Sequence, residues 1–130
     1  MDFREQQAIY LQIADYVSEN ILLKKWPPGQ RMISIRDLAV TIEVNPNTVQ
    51  RSYDFLQQKG IISNRRGIGY FVEEDAEKKI RAYRRELFMA NDLPHLFKNL
   101  FLLDIPMKDV EAKYKKYIEK HFKKIIHETK

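Results

Sequence analysis

Residues 44–60 read VNPNTVQRSYDFLQQKG. Asn45 and Pro46 make the sharpest helix start in the chain. An Asn side chain can accept a free amide of the first turn, and Pro at the first helical position gives up an N–H that has no helical partner there. Gly60 is a natural stop, because glycine takes the left-handed backbone that follows a helix. Val49, Tyr53 and Leu56 recur at helical spacing and face inward, while Asn47, Thr48, Gln50, Arg51 and Asp54 face elsewhere. The stretch therefore predicts a helix over 45–59 with one buried face and a polar opening turn.

Upstream, Ser34 is a good N-cap with Asp37 three residues on, one methylene short of the usual capping box. Ile35, Leu38, Ala39 and Ile42 form the apolar side of a helix of about two turns. Glu43-Val44 is then a short turn between two helices. Further back, residues 6–23 predict a helix whose apolar face carries Ile9, Ile13, Tyr16, Val17, Asn20 and Ile21. Pro27-Pro28-Gly29 ends it, and Arg31-Met32-Ile33 is a short extended piece. Downstream, Ile61–Asn64 and Tyr70–Val72 are strand-like. Arg65-Arg66-Gly67-Ile68-Gly69 joins them as a tight reversal with a basic tip. Three helices followed by a hairpin, with connections this short, predict a mostly α fold with a small β wing: a winged helix-turn-helix.

From Asp75 the pattern changes. Ala76, Ile80, Tyr83, Leu87 and Ala90 step by 4, 3, 4 and 3, an apolar stripe along one helix. Pro94 is expected to start a second helical piece carrying Leu96, Phe97, Leu100 and Phe101. Ile105-Pro106 breaks it, and a last helix presents Val110, Tyr114, Tyr117, Ile118 and Ile125. The chain is thus expected to divide into a winged helix-turn-helix DNA-binding domain, residues 1–74, and a helical dimerisation domain, residues 75–130. A segment this short has little of its own with which to cover Ile80, Tyr83, Leu87, Leu100, Phe101, Val110, Tyr114 and Ile118. A second copy of the chain is the expected cover.

Composition narrows the function. The 130 residues are 44% hydrophobic and 32% charged, which suits a folded globular chain. The absence of cysteine removes disulfides, thiolate metal sites and Cys nucleophiles, and fits a reducing cytoplasm. The first twenty residues carry acids throughout and have no apolar core of a signal peptide. No apolar run approaches the roughly 18 residues of a membrane span. The net charge of +5 falls entirely in residues 75–130; residues 1–74 hold nine Lys/Arg and nine acids and are neutral. Bulk charge does not mark the first half as a nucleic-acid surface, so local pattern must. His95, His121 and His127 lack metal-ligand spacing with a clear acidic partner, and no nucleophile triad or carboxylate pair stands out. No enzyme activity, metal or cofactor is expected.

The local pattern suits DNA. Asn45, Asn47, Thr48, Gln50 and Arg51 lie at the start of the second helix of the helix-turn-helix, where side chains enter a major groove. Amide and guanidinium groups can meet base edges there, and Thr a phosphate or a thymine methyl. Arg36 is placed to reach backbone or base from the preceding helix. Arg65-Arg66-Gly67 at the wing tip suits a narrow minor groove. Each has an ordinary counterpart. Arg51 is also placed to pair with Asp54, Tyr70 to pack the wing, and the lysines of the last helix (Lys113, Lys115, Lys116, Lys120, Lys123 and Lys124) to form a solvated face. A winged helix that binds protein rather than DNA would explain the neutral first half, but gives no reason for the basic tip.

The string resembles the DNA-binding domain of the GntR family of bacterial regulators over roughly residues 7–73. The resemblance rests on Ile9–Ile13, Pro28-Gly29 with Arg31, Ser34–Ala39, Val44–Tyr53, Leu56–Gly60 and Arg66–Val72 together. Ala8 and Ile33 stand where the family often has Pro. The resemblance implies DNA contacts by Arg36, Asn45, Asn47, Thr48, Gln50, Arg66 and Gly67. With Pro46, Arg51, Arg65 and Gly69 these make up the candidate DNA-binding set. The short tail is similar to the YtrA subfamily, which implies a cytoplasmic homodimeric regulator, acting as a repressor on a palindromic double-stranded operator. No effector is indicated.

Overall fold

The computed structural model describes residues 7–128, and their side chains as far as residue 123. The element order is α1 (Ile9–Leu22), α2 (Ile35–Thr41), α3 (Pro46–Gln58), β1 (Ile62–Arg65), β2 (Gly69–Val72), α4 (Ala76–Leu87), a π-helical turn (Phe88–Asp92), α5 (Leu93–Leu102) and α6 (Met107–Glu128). By packing, the chain falls into two compact units, Met1–Tyr83 and Arg84–Lys130.

Local chemistry sets the ends in the first unit. The Ser34 hydroxyl accepts the Asp37 N–H at 3.0 Å, and Asn45 Oδ1 accepts the Asn47 N–H at 2.8 Å. Each satisfies an amide that the helix itself leaves free. Glu43 turns the chain between α2 and α3 at φ 57, a left-handed conformation seldom taken by residues other than glycine. α1 begins at Ile9; the expected first residue, Gln6, lies outside the described residues.

The core of this unit gathers Ile13, Val17 and Ile21 from α1, Leu38 and Ala39 from α2, and Val49, Tyr53 and Leu56 from α3. Ile61, Ile62 and Val72 of the hairpin close it. Two hydroxyls tie the layers together. Ser52 donates to the Tyr10 carbonyl at 2.7 Å, and Tyr53 donates to the Ile33 carbonyl at 2.7 Å. Burial pushes the Tyr53 hydroxyl well above the usual tyrosine range, with the nearby Tyr70 adding to the effect.

The hairpin pairs Ile62 with Val72, Ser63 with Phe71, Asn64 with Tyr70 and Arg65 with Gly69. A third edge extends it. The Gly29 N–H donates to Val72 O, Val72 N–H to Gln30 O and Met32 N–H to Tyr70 O, at 2.7–2.9 Å, and Arg31 stands opposite Phe71. The extended piece expected after the Pro-Pro-Gly turn is therefore an outer strand of the wing.

Two expectations change. Ile9 and Tyr16, placed on the inner face of α1, are 59% and 42% exposed; Tyr16 meets Trp26 edge to face instead. Ala76 and Ile80 are wholly buried in the first unit's core, and the Tyr83 ring meets Phe55 edge to face at 6.1 Å. Ile80 is thus covered by its own chain and is not available to a partner. The boundary expected after residue 74 shifts accordingly, because the opening turns of α4 pack with the wing and α1. Lys24 of the α1 end fastens them through Glu77, at 2.6 and 2.7 Å. Pro94 opens the second helical piece, as expected. It sits in the first turn of α5, and the π-helical turn joins α4 to α5. Pro94 has no N–H and its ring crowds the carbonyl four residues back, Ala90; the wider turn absorbs both.

Within the second unit Leu100 is buried, and Val110 and Ile118 are half-buried. α5 ends at Leu102 with Leu103 as its cap, Asp104 reverses the chain at φ 60, and α6 starts after Pro106. The His121 ring lies tilted against the Tyr117 ring, one helical turn back, with centroids 4.3 Å apart. Ile125 and His127, with Lys124, fall where side chains lie outside the described residues.

Candidate nucleic-acid interface

The opening turn of α3 is presented to solvent. Asn45, Pro46 and Asn47 are exposed, and Thr48 is half-buried. Asn45 spends its carbonyl oxygen on the cap, which leaves its amide N–H groups for an outside acceptor. Arg36 is exposed in the first turn of α2.

Gln50 is held on two sides. Its Nε2 donates to Asp54 Oδ1 at 2.9 Å and to the Tyr70 hydroxyl at 3.2 Å. Tyr70 in turn stands edge to face with Tyr53 at 5.0 Å. One side chain of the wing thus braces the central polar residue of α3. The carboxylate of Asp54 accepts only, so the amide nitrogen turns toward it and Oε1 is the uncommitted end of Gln50.

Arg51 does not pair with Asp54. Its guanidinium lies over the Tyr10 ring, 4.2 Å from the centroid, and that ring meets Phe55 edge to face. Stacking of this kind holds a cation at a fixed place while leaving its N–H edge exposed.

The wing separates its residues by role. Arg65 lies over the Phe71 ring at 4.0 Å, and Arg66 is exposed at the turn. Gly67 has φ 79, and a Cβ there would meet nothing within 4 Å. Its glycine is demanded by the turn and leaves open space for whatever approaches from outside. Gly69 differs: at φ 141, an added Cβ would lie 3.0 Å from Arg31 Nε. Tyr70 packs the wing, as expected, with its ring edge to face on Tyr53 of α3.

The positions reached from the sequence therefore lie on α2, α3 and the wing, with Gln50 and Tyr70 in direct contact. Two were missed. Ile68 is 55% exposed at the wing tip. Arg31 lies across Gly69, and its signal was the alternation that sets it opposite Phe71 once residues 29–32 pair with β2.

Residues 9–72 match the family model of bacterial regulatory proteins, gntR family. The HTH-type transcriptional regulator YhcF of Bacillus subtilis is 43% identical over 75 residues, 58% of this chain and 62% of that protein. The HTH-type transcriptional repressor YtrA of the same organism is 39% identical over 77 residues, 59% of each chain. The matched stretch thus spans about three fifths of these relatives. A crystal structure described as a putative GntR-family transcriptional regulator from Bacteroides thetaiotaomicron is 41% identical. It superposes with a TM-score of 0.67 over 87% of this chain and 98% of the other. With the winged helix in place and the identity running along nearly the whole of that structure, the chain belongs to the gntR family of bacterial regulatory proteins.

Proposed function

We propose that this chain is a sequence-specific DNA-binding transcription regulator that acts as a homodimer, in the cytoplasm, as a repressor on a palindromic operator. The observation that carries the reading is the exposed polar turn of α3 beside an arginine-bearing wing, in a chain of this family. In this reading Asn45, Asn47, Thr48 and Gln50 meet base edges and the adjoining backbone, with Arg36 and Arg51 at the flanks. Arg66 and Gly67 enter a minor groove, with Arg65 at its edge. Gly69 acts through Arg31. The unit from Arg84 onward supports pairing of two copies, since Leu87, Phe101 and Tyr114 are 53%, 83% and 63% exposed. A two-fold dimer requires half-sites about one helical turn apart. Repression is supported by the likeness to the repressor YtrA.

The test is a salt series of binding to DNA upstream of the chain's own gene, with random duplex as competitor. Competitor-resistant binding that falls steeply with salt is expected. Absence of binding even at low salt would overturn the reading in favour of a protein-binding winged helix.

A further inference from the structure

We propose that the outer face of the wing is a second grip on DNA, in which Arg31 and Arg65 together hold a backbone phosphodiester beside the groove that Arg66 enters. This rests on the DNA-binding reading above and adds a residue and a surface to it.

The geometry comes from strand pairing. Side chains alternate across a sheet, and residues directly opposite share a face. Arg31 opposes Phe71, Ser63 opposes Phe71, and Arg65 opposes Gly69. Arg31, Ser63, Arg65, Gly69 and Phe71 therefore share one face, while Met32, Ile62, Tyr70 and Val72 share the other, which turns to the core. The outer face carries two guanidiniums. Arg65 lies over Phe71 at 4.0 Å. Arg31 lies across the bare backbone of Gly69, where an added Cβ would sit 3.0, 3.4 and 3.6 Å from its Nε, Nη2 and Cζ. Gly69 is thus the floor on which Arg31 rests, which explains a glycine there better than close approach of DNA does.

Two like charges held on one small face repel each other and gain from an anion between them. Neither arginine belongs to the ion pairs Lys24–Glu77, Lys79–Asp75, Arg81–Glu77 or Lys115–Glu111. Aromatic stacking and the glycine floor fix both planes in advance, so little side-chain freedom is lost on binding. The anion is a DNA phosphate because the tip beyond this face already carries Arg66 and the open Gly67. A wing whose tip enters a minor groove has a phosphate backbone along its flank.

A phosphate contact positions without reading sequence. Arg31→Gln is therefore expected to weaken operator and random duplex by the same factor, several-fold. It should also take about 0.9 per wing from the slope of log K against log salt. Arg31→Lys keeps the charge and is expected to retain the slope. Arg65→Gln serves as the second variant, expected to act like Arg31→Gln; thermal melting shows whether each variant is folded. A folded Arg31→Gln protein with the wild-type slope overturns the grip and leaves the DNA-binding reading standing. So does one that loses operator preference while keeping its affinity for random duplex. A wild-type protein that binds no DNA overturns both.

Discussion

In the first unit Val17, Ile21, Tyr53, Leu56 and Ile80 are wholly covered; in the second, Phe101 is 83% exposed, with Leu102 at 64% and Leu103 at 66%. The residue types are alike and their surroundings are not. Three helices, a three-stranded wing and the opening of α4 give the first unit enough surfaces to close over its apolar side chains. Among the described residues, α5 and α6 leave most of theirs on faces that the unit does not close over; Leu100 is buried and Val110, Ile118 and Phe122 are half-buried. An apolar side chain that stays in water forgoes its transfer energy, about 25 cal/mol for each Å². The first unit is therefore built to fold on its own contacts, and the second, in the function proposed above, to gain from a second copy.

The same deletion made in both units tests this most sharply. Leu56→Ala opens a cavity in a closed core, and a loss of about 2–5 kcal/mol of unfolding free energy is expected at any protein concentration. Leu102→Ala is expected to cost the chain's own fold less than about 0.5 kcal/mol. Denaturant unfolding at two concentrations checks both. Equal losses would dissolve the contrast between the units.

Phe101→Lys puts a charge on the exposed face. Dimer dissociation is expected to rise about a hundredfold, or about 2.7 kcal/mol, with thermal unfolding of the first unit unchanged. Sedimentation reads the mass directly against the 15.6 kDa of one chain. A dimer that survives intact would place the seam elsewhere in the tail.

What the sequence made legible was local chemistry. Ser34, Asn45 with Pro46, and Gly60 bound their helices through contacts within a few residues, so the helix-turn-helix could be read directly. What escaped depends on partners distant in the chain. Arg31 gains its place only when residues 29–32 pair with β2, Arg51 when Tyr10 arrives beneath it, and Gln50 when Tyr70 folds back upon α3. Ile80 had the spacing of a dimer stripe. Periodicity reports which face of a helix is apolar, not whether its own chain or a copy covers it.

Tyr53→Phe probes the closed unit from its polar side. It leaves the buried Ile33 carbonyl without its donor, and a loss of about 1–2 kcal/mol is expected. Burial raises the folded-state titration of this hydroxyl above its unfolded value near 10. The fold therefore favours the protonated form. That stability is fully present below about pH 10 and is lost as pH rises from there toward the folded value. Wild-type protein is expected to lose stability through the alkaline range more steeply than Tyr53→Phe. Parallel curves would show that the hydroxyl is free to ionise in the folded chain.

Tyr70→Phe is the smallest change and bears on how the first unit presents its reading surface. The ring stays packed on Tyr53, so the wing keeps its shape; only the acceptor for one Gln50 N–H goes. In wild-type protein Asp54 and Tyr70 occupy the Gln50 amide nitrogen, which leaves Oε1 for the base contact proposed above. In a major groove an acceptor of this kind suits the exocyclic amine of adenine or cytosine. Releasing Nε2 from Tyr70 frees a donor and loosens the side chain, so discrimination at that base pair is expected to fall about two- to tenfold with total affinity little changed. A scan of single base-pair changes in the operator, run on both proteins, reads the effect. If preference at every position is the same for Tyr70→Phe as for wild type, Gln50 reads DNA without the wing's help, and α3 and the wing act as separate contacts rather than one braced surface.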